Sequence, residues 1–219
     1  MNSNISKIKG CIFDLDGVIV DTVKYHFVAW RKLANELGFD FTEKDNEKLK
    51  GVNRIDSLNL ILSWGGINFS DNLKKDLTAQ KNDEYLSYVT QMNSKEILPG
   101  VVDLLEEVKA LGLKISLGSA STNAVAILKQ VDLIHYFDAI IDGTSVTHGK
   151  PHPEGFLLAA SQMGLEPREC IVFEDAAKGV QAALSGGMYC VGVGSKDDLG
   201  DAHMVVSSMG GLKFQDYFN

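Results

Sequence analysis

Short, unbroken apolar runs recur along the chain, at residues 8–13, 113–117, 139–141, 171–173 and 189–193. They do not alternate with polar residues, which predicts strands covered on both faces, as in a parallel sheet. Helical patterns fall between most of them. After the Pro99-Gly100 turn, Val101, Val102, Leu104, Leu105, Val108 and Leu111 share one helical face. Pro153 opens a helix carrying Phe156, Leu157, Leu158 and Ala160, and residues 176–184 form another that closes on Gly186-Gly187. Strand and helix in alternation predict an α/β fold with a doubly wound parallel sheet.

Residues 20–92 break that alternation. They hold no convincing strand and predict four helices, over 22–37, 43–50, 54–64 and 71–92. The expected organisation is a catalytic core from residues 1–19 and 93–219 with an α-helical cap, 20–92, inserted after the first strand. The insert starts beside an acidic loop at that strand's carboxyl end, where ligands bind in such sheets. A lid over a site follows from this layout. No internal repeat or low-complexity segment is visible, and only four prolines punctuate the chain.

At 219 residues the chain is long enough to bury a sizeable core. Its net charge of −8 argues against nucleic acid or an anionic membrane as the main partner. A local basic site for an anion remains compatible with it. The cysteines Cys11, Cys170 and Cys190 each lie in an apolar run and predict buried thiols in a reducing compartment. No run approaches the length of a membrane span, and Met1-Asn2-Ser3-Asn4 lacks the basic flank of a secretory leader. A cytoplasmic location is the expectation.

Candidate chemistry concentrates at predicted strand ends. Asp14-Leu15-Asp16-Gly17 closes the first run, and Glu174-Asp175 closes another. Carboxylates on apolar strand ends are costly unless something neutralises them. In a parallel sheet these ends share one rim, so the four could converge on a hard cation, and Mg²⁺ suits oxygen ligands plus a phosphate. Taken singly, each acidic pair also reads as a helix cap or turn. Ser119 opens Ser119-Ala120-Ser121-Thr122-Asn123, whose hydroxyls and N–H groups suit phosphate oxygens; a plain N-cap by Ser121 or Thr122 is compatible with that. Lys150, between Gly149 and Pro151, follows the strand ending near Asp142 and is in reach of the rim. When ionised, the four carboxylates carry four negative charges, and a phosphate adds about two more. Mg²⁺ with Lys150 offsets three of these.

These motifs, in this order along essentially the whole chain, resemble the haloacid dehalogenase superfamily of phosphotransferases, whose Rossmann-like core carries such a cap. Within it the chain is similar to the β-phosphoglucomutase family. That likeness rests on residues 14–22, Tyr25-His26-Phe27, Ala29-Trp30, Lys50-Gly51-Val52, Arg54, Asp56-Ser57-Leu58, Lys81-Asn82, Ser119-Ala120-Ser121, Asn123, Lys150-Pro151 and Glu174-Asp175. The resemblance implies the interconversion of β-glucose 1-phosphate and glucose 6-phosphate through an aspartyl phosphate and a glucose 1,6-bisphosphate intermediate. It implies Asp14 as nucleophile, Asp16 as general acid and base, and Ser119 and Lys150 as the grip on the transferring phosphate. It implies one Mg²⁺ per chain, held by the Asp14 side chain, the Asp16 backbone carbonyl and Asp175, with Glu174 as ligand or behind it. Arg54, Ser121 and Asn123 would hold the distal phosphate; Gly51, Val52, Ser57, Trp30, Lys81 and Asn82 complete the substrate set. Thr22 and His26 would couple the cap to the site. The expected partner is a small sugar phosphate met by a monomer, without nucleic acid or membrane.

One departure stands out: the family's best-known members carry lysine where this chain has Thr122. That removes a cation from the distal grip and bears on which sugar phosphate is taken, disaccharide 1-phosphates included. Alternative readings are a Mg²⁺-dependent sugar-phosphate phosphatase, a mutase for another sugar 1-phosphate, and a non-catalytic phosphosugar-binding protein. From the residues alone, the apolar face of the first cap helix is Val23, Phe27, Trp30 and Leu37. Thr22, His26, Ala29 and Leu33 line the stripe beside it, which puts His26 at the edge of the packed face. Without the resemblance, the polar stretch 80–84 would read as a solvated surface carrying Lys81 and Asn82. His148 and His152 are four apart, but Pro151 bars a regular helix across them, which argues against a zinc pair. Gly192-Val193-Gly194 lacks the third glycine of a dinucleotide fingerprint and no helix clearly follows. Trp64 reads as a helix-end anchor, and His135 and His203 suggest no role.

Overall fold

The computed structural model describes residues 8–218; the reading of Met1-Asn2-Ser3-Asn4 lies outside them. Six parallel strands form one sheet: β1 (Gly10–Phe13), β2 (Lys114–Gly118), β3 (Ala139–Ile141), β4 (Cys170–Glu174), β5 (Tyr189–Val193) and β6 (Met204–Val206). Their order is β3-β2-β1-β4-β5-β6. The two halves of the sheet diverge between β1 and β4, so the carboxyl ends of those neighbours flank the crevice where doubly wound sheets bind ligands. Phe13 pairs in register with Phe173 and with Leu117, which sets Asp14, Glu174 and Gly118 at one level on the rim.

Ten helices complete the described chain. Four lie between β1 and residue 93: α1 (Val23–Glu36), α2 (Glu43–Glu47), α3 (Arg54–Trp64) and α4 (Asp71–Val89). The others are α5 (Val101–Ala110), α6 (Ala124–Gln130), α7 (Glu154–Gln162), α8 (Ala177–Ser185), α9 (Lys196–Leu199) and α10 (Phe214–Phe218). One sheet face packs Phe13, Leu117 and Phe173 against Leu104, Leu105 and Ile127. The other packs Ile12, Val172 and Cys190 against Phe156, Ala159 and Val180. Both faces are covered, which is why the strands read as continuous apolar runs. All three cysteines are free and buried.

The helices α1, α2 and α3 enclose a separate apolar cluster of Trp30, Leu33, Ala34, Phe41, Leu49, Leu58, Ile61 and Leu62. Two linkers join this layer to the sheet and run antiparallel beside each other: Val20 bridges Ile97, Asp21 N–H donates to the Glu96 carbonyl and Leu98 N–H to that of Ile19. No described helix is long and apolar enough to cross a membrane.

Several expectations are corrected by the structure. The buried face of α1 is Ala29, Trp30, Leu33 and Ala34; Val23, Phe27 and Leu37 are only half-buried. The second cap helix stops at Glu47, because three-residue turns carry the chain from Lys48 to Gly51. The fourth stops at Val89, and the Gln130 amide donates to the Thr90 and Met92 carbonyls beyond it. A four-residue helix, α9, does follow Gly194. The N-cap of α6 is Asn123 rather than Ser121 or Thr122.

Candidate active site

At the carboxyl rim Asp14, Glu174 and Asp175 each present an oxygen within 4.8 Å of the other two. Asp14 and Glu174 are buried. Lys150 reaches in from the loop after β3 and donates to Asp14 at 2.5 Å and to Glu174 at 2.8 Å. Burial drives all three carboxyls above their ordinary range, and their mutual charge adds to it: Glu174 is pushed up to about 8 and Asp175 to about 7. Lys150 is held above the usual lysine range by Asp14 and Glu174, against the opposing effect of burial. A donor set of carboxylate oxygens without nitrogen or sulfur fits a hard divalent cation such as Mg²⁺.

Two glycines let these side chains meet. Gly17 has φ +84°, and a Cβ there would stand 2.2 Å from an Asp175 carboxylate oxygen. Gly179, one turn into α8, leaves the space that the Glu174 carboxylate fills. Glu174 also accepts Ala176 N–H at 3.2 Å, a turn bond that stands alongside its place in the cluster; the N-cap of α8 is Ala176, without a side-chain cap.

Asp16 turns away from the three carboxylates. Its side chain accepts a hydrogen bond from Thr22 and lies 3.8 Å from His26 Nε2. Burial pushes its carboxyl up, but His26, Thr22 and Lys81 together bring it below the ordinary aspartate range. The His26 ring stacks on Tyr85 with centroids 4.2 Å apart. Lys81 Nζ lies 2.8 Å from His26 Nδ1. An ammonium donates only, so Nδ1 accepts and the ring proton sits on Nε2, facing Asp16. Burial, then the Lys81 charge, holds His26 below its usual value.

Lys81 is 3 % exposed, with its ammonium over the Trp30 and Tyr85 rings. The expectation of a solvated surface there is wrong. Burial first and Arg54 second bring it down to about 7. The polarity of residues 80–84 hides the fact that Lys81 shares the buried stripe of α4 with Tyr85 and Val89, a spacing of four that was available in the sequence.

Asp14, Asp16, Asp175, His26 and Lys81 open into one cleft between sheet rim and helical layer. Gly51, Val52, Arg54 and Ser57 line it from the start of α3, and Trp30, Lys81 and Asn82 from α1 and α4. Ser121 and Asn123 face them from the loop after β2. Two hydrogen bonds cross the cleft, Arg54 to Thr122 at 2.5 Å and Asn123 to Asn82 at 2.8 Å. Ser119 is buried, with its hydroxyl accepting Ser121 N–H at 3.0 Å. Thr22, Ser119, Lys150 and Glu174 are not part of the cleft wall; Lys150 meets it through its bond to Asp14. The sequence reading assigned no role to Lys50, which lies 3.6 Å from Asp175, or to the Tyr85 ring; a lysine beside the turning Gly51 was the available signal for the first.

The sequence model of haloacid dehalogenase-like hydrolases matches residues 8–187. The chain belongs to this family. It is 39% identical over 210 residues to a β-phosphoglucomutase of Bacillus subtilis, covering 95% of this chain and 93% of the relative. It is 35% identical over 185 residues to a fructose-1-phosphate phosphatase of Escherichia coli, covering 84% and 95%. A crystal structure of β-phosphoglucomutase from Clostridium difficile superposes with a TM-score of 0.93 at 44% identity, covering 95% of each chain. As a family member this chain is an enzyme.

Away from the cleft a second group of side chains draws together. His148 and His152 lie in a turn, as Pro151 requires, yet their rings approach to 4.7 Å and one ligand atom of each lies within 4.8 Å of a Glu154 oxygen. His203 accepts Cys190 N–H at 3.1 Å and stacks on Tyr189, a packing role.

Proposed function

We propose that this chain catalyses the β-phosphoglucomutase reaction, converting β-glucose 1-phosphate to glucose 6-phosphate through phospho-Asp14 and glucose 1,6-bisphosphate. The observation that carries this reading is a cleft with two separate cationic ends. Lys150 stands at Asp14 on the rim. Arg54 stands across the cleft against neutral Thr122. A phosphatase needs only the first end. A mutase whose bisphosphate must bind either way round needs both, and a guanidinium suits the waiting phosphate.

In the forward half-reaction an Asp14 oxygen bonds to phosphorus as the bond from phosphorus to the sugar oxygen breaks. Asp16, ionised at rest, first takes the proton of the sugar hydroxyl that attacks phospho-Asp14, and then returns it to the sugar oxygen that leaves when Asp14 takes phosphorus from the bisphosphate. Lys150 and Ser119 meet the equatorial oxygens, where charge develops. Asp14, Glu174 and Asp175 would hold Mg²⁺, which when bound offsets the negative charge gathered there. Thr22 and His26 fix Asp16, and both belong to the first helix of the cap (residues 20–92). Closure of that layer therefore positions the acid–base group and excludes water in one motion.

The phosphatases among the relatives support a second reading, in which water takes the phosphoryl group from Asp14. Phosphorus NMR on the protein with Mg²⁺, β-glucose 1-phosphate and a trace of the 1,6-bisphosphate separates the two. Glucose 6-phosphate is expected; release of inorganic phosphate in its place would favour the phosphatase.

A further inference from the structure

The segment after β3 holds a second cluster of metal-ligating side chains, separate from the carboxylates at the rim. His148, His152 and Glu154 each offer one ligand atom, and the three lie within 4.8 Å of one another. Two of the separations are resolved: His148 Nδ1 is 2.9 Å and His152 Nδ1 4.0 Å from the same Glu154 oxygen, Oε2. Ligands about 2.1 Å from a tetrahedral ion stand roughly 3.4 Å apart, so those two separations straddle the spacing the ion would set.

The frame holding them is short and ordered. The Glu154 carboxylate is pinned by the N–H groups of Thr147 and His148, both at 2.9 Å. His152 N–H closes a turn on the Gly149 carbonyl at 3.0 Å. All three ligands come from the seven consecutive residues 148–154, which include Pro151 and Pro153, so little chain entropy is lost in gathering them. Both imidazoles are half-exposed or more, which leaves the remaining coordination positions to water.

We propose that His148, His152 and Glu154 bind a divalent transition ion of the zinc class. The chemistry of the donors separates this site from the rim. Two imidazoles and a carboxylate select Zn²⁺, Co²⁺ or Ni²⁺ over Mg²⁺, which takes oxygen donors. Binding through Nδ1 shifts the His148 ring proton to Nε2, and the ion takes over the contact to Glu154. The same loop delivers Lys150 to Asp14 and Glu174, so an ion here is anchored two residues from the lysine of the rim.

The test is calorimetric titration of the intact protein with Zn²⁺ in a large excess of Mg²⁺, repeated with Co²⁺ while following its visible absorption. One equivalent should bind despite the Mg²⁺, with the absorption of a low-coordinate nitrogen-ligated ion. His148→Gln with His152→Gln should weaken binding at least about tenfold, while leaving turnover unchanged in Mg²⁺ buffer stripped of transition metals. Asp14→Asn, which alters the rim alone, should leave the Zn²⁺ isotherm as it is. Absence of binding in the unsubstituted protein, an isotherm unmoved by the two glutamines, or loss of the site in Asp14→Asn would each overturn the proposal.

Discussion

Thr22 occupies the N-cap position of α1, yet its hydroxyl makes no capping bond and donates to Asp16 instead. A local cap worth about 1 kcal/mol is given up, and an aspartate that burial would protonate stays ionised. Gly17 makes the complementary sacrifice in backbone freedom. Gly17→Ala would place a methyl group against the Asp175 carboxylate at a left-handed φ, and should cost roughly 1–3 kcal/mol in urea unfolding. An unchanged midpoint would show that the two side chains can part freely. Lys81 gives a pH signature. Its folded value, about 7, lies below the ordinary 10.5, so between these the unfolded chain holds a proton that the folded one does not. Rising pH then favours folding. The stability of the unsubstituted protein relative to Lys81→Met should climb from pH 7 to about 10.5; a flat difference would mean that the ammonium is solvated. Asp14, Ser119 and the acidic pair Glu174-Asp175 were visible in the sequence because each closes an apolar strand, and Lys150 because a glycine and a proline bracket it in the loop after β3. The burial of Lys81 was not, because α4 shows a single narrow stripe on an otherwise polar helix.

Strands with buried side chains were legible, even the three-residue β3, and β6 was not. The strand β6 has three residues, all half-buried, and nothing in Met204–Val206 distinguishes an edge strand from a loop. Helix boundaries erred where a carbonyl finds a partner outside its own helix, as Gln130 supplies beyond α4. The linker pair carries the cap. Its polar clasp joins Lys24 to Glu96 at 2.6 Å and to Asp21 at 2.9 Å, while Tyr25 donates to Glu96 at 2.9 Å. Glu96→Gln removes the ionic part of that clasp at a partly exposed site, so the stability change should stay within about 1 kcal/mol. The change expected is in closure: kcat and KM should move together, with the fold intact by circular dichroism. Arg54→Ala, at the start of α3, should instead raise KM for the bisphosphate at least about tenfold, the worth of a charge-assisted bidentate contact. If KM stays put, the distal phosphate rests elsewhere.

At the scale of the whole molecule, two apolar cores are joined through a rim where burial and like charge oppose ionisation of three carboxylates. A divalent ion that binds only the folded rim should stabilise the protein by mass action. Mg²⁺ should raise the melting temperature of the unsubstituted protein and have no effect on Asp175→Asn with Glu174→Gln; equal shifts in both would place the ion elsewhere. The central claim is that Asp14 carries phosphorus. Rapid acid quench after mixing with radiolabelled glucose 1,6-bisphosphate, followed by peptide mapping, tests it directly. The account predicts one acid-stable, base-labile acyl phosphate on the peptide containing Asp14, absent from Asp14→Asn. Label on another residue, or turnover of Asp14→Asn at the unsubstituted rate, would contradict it.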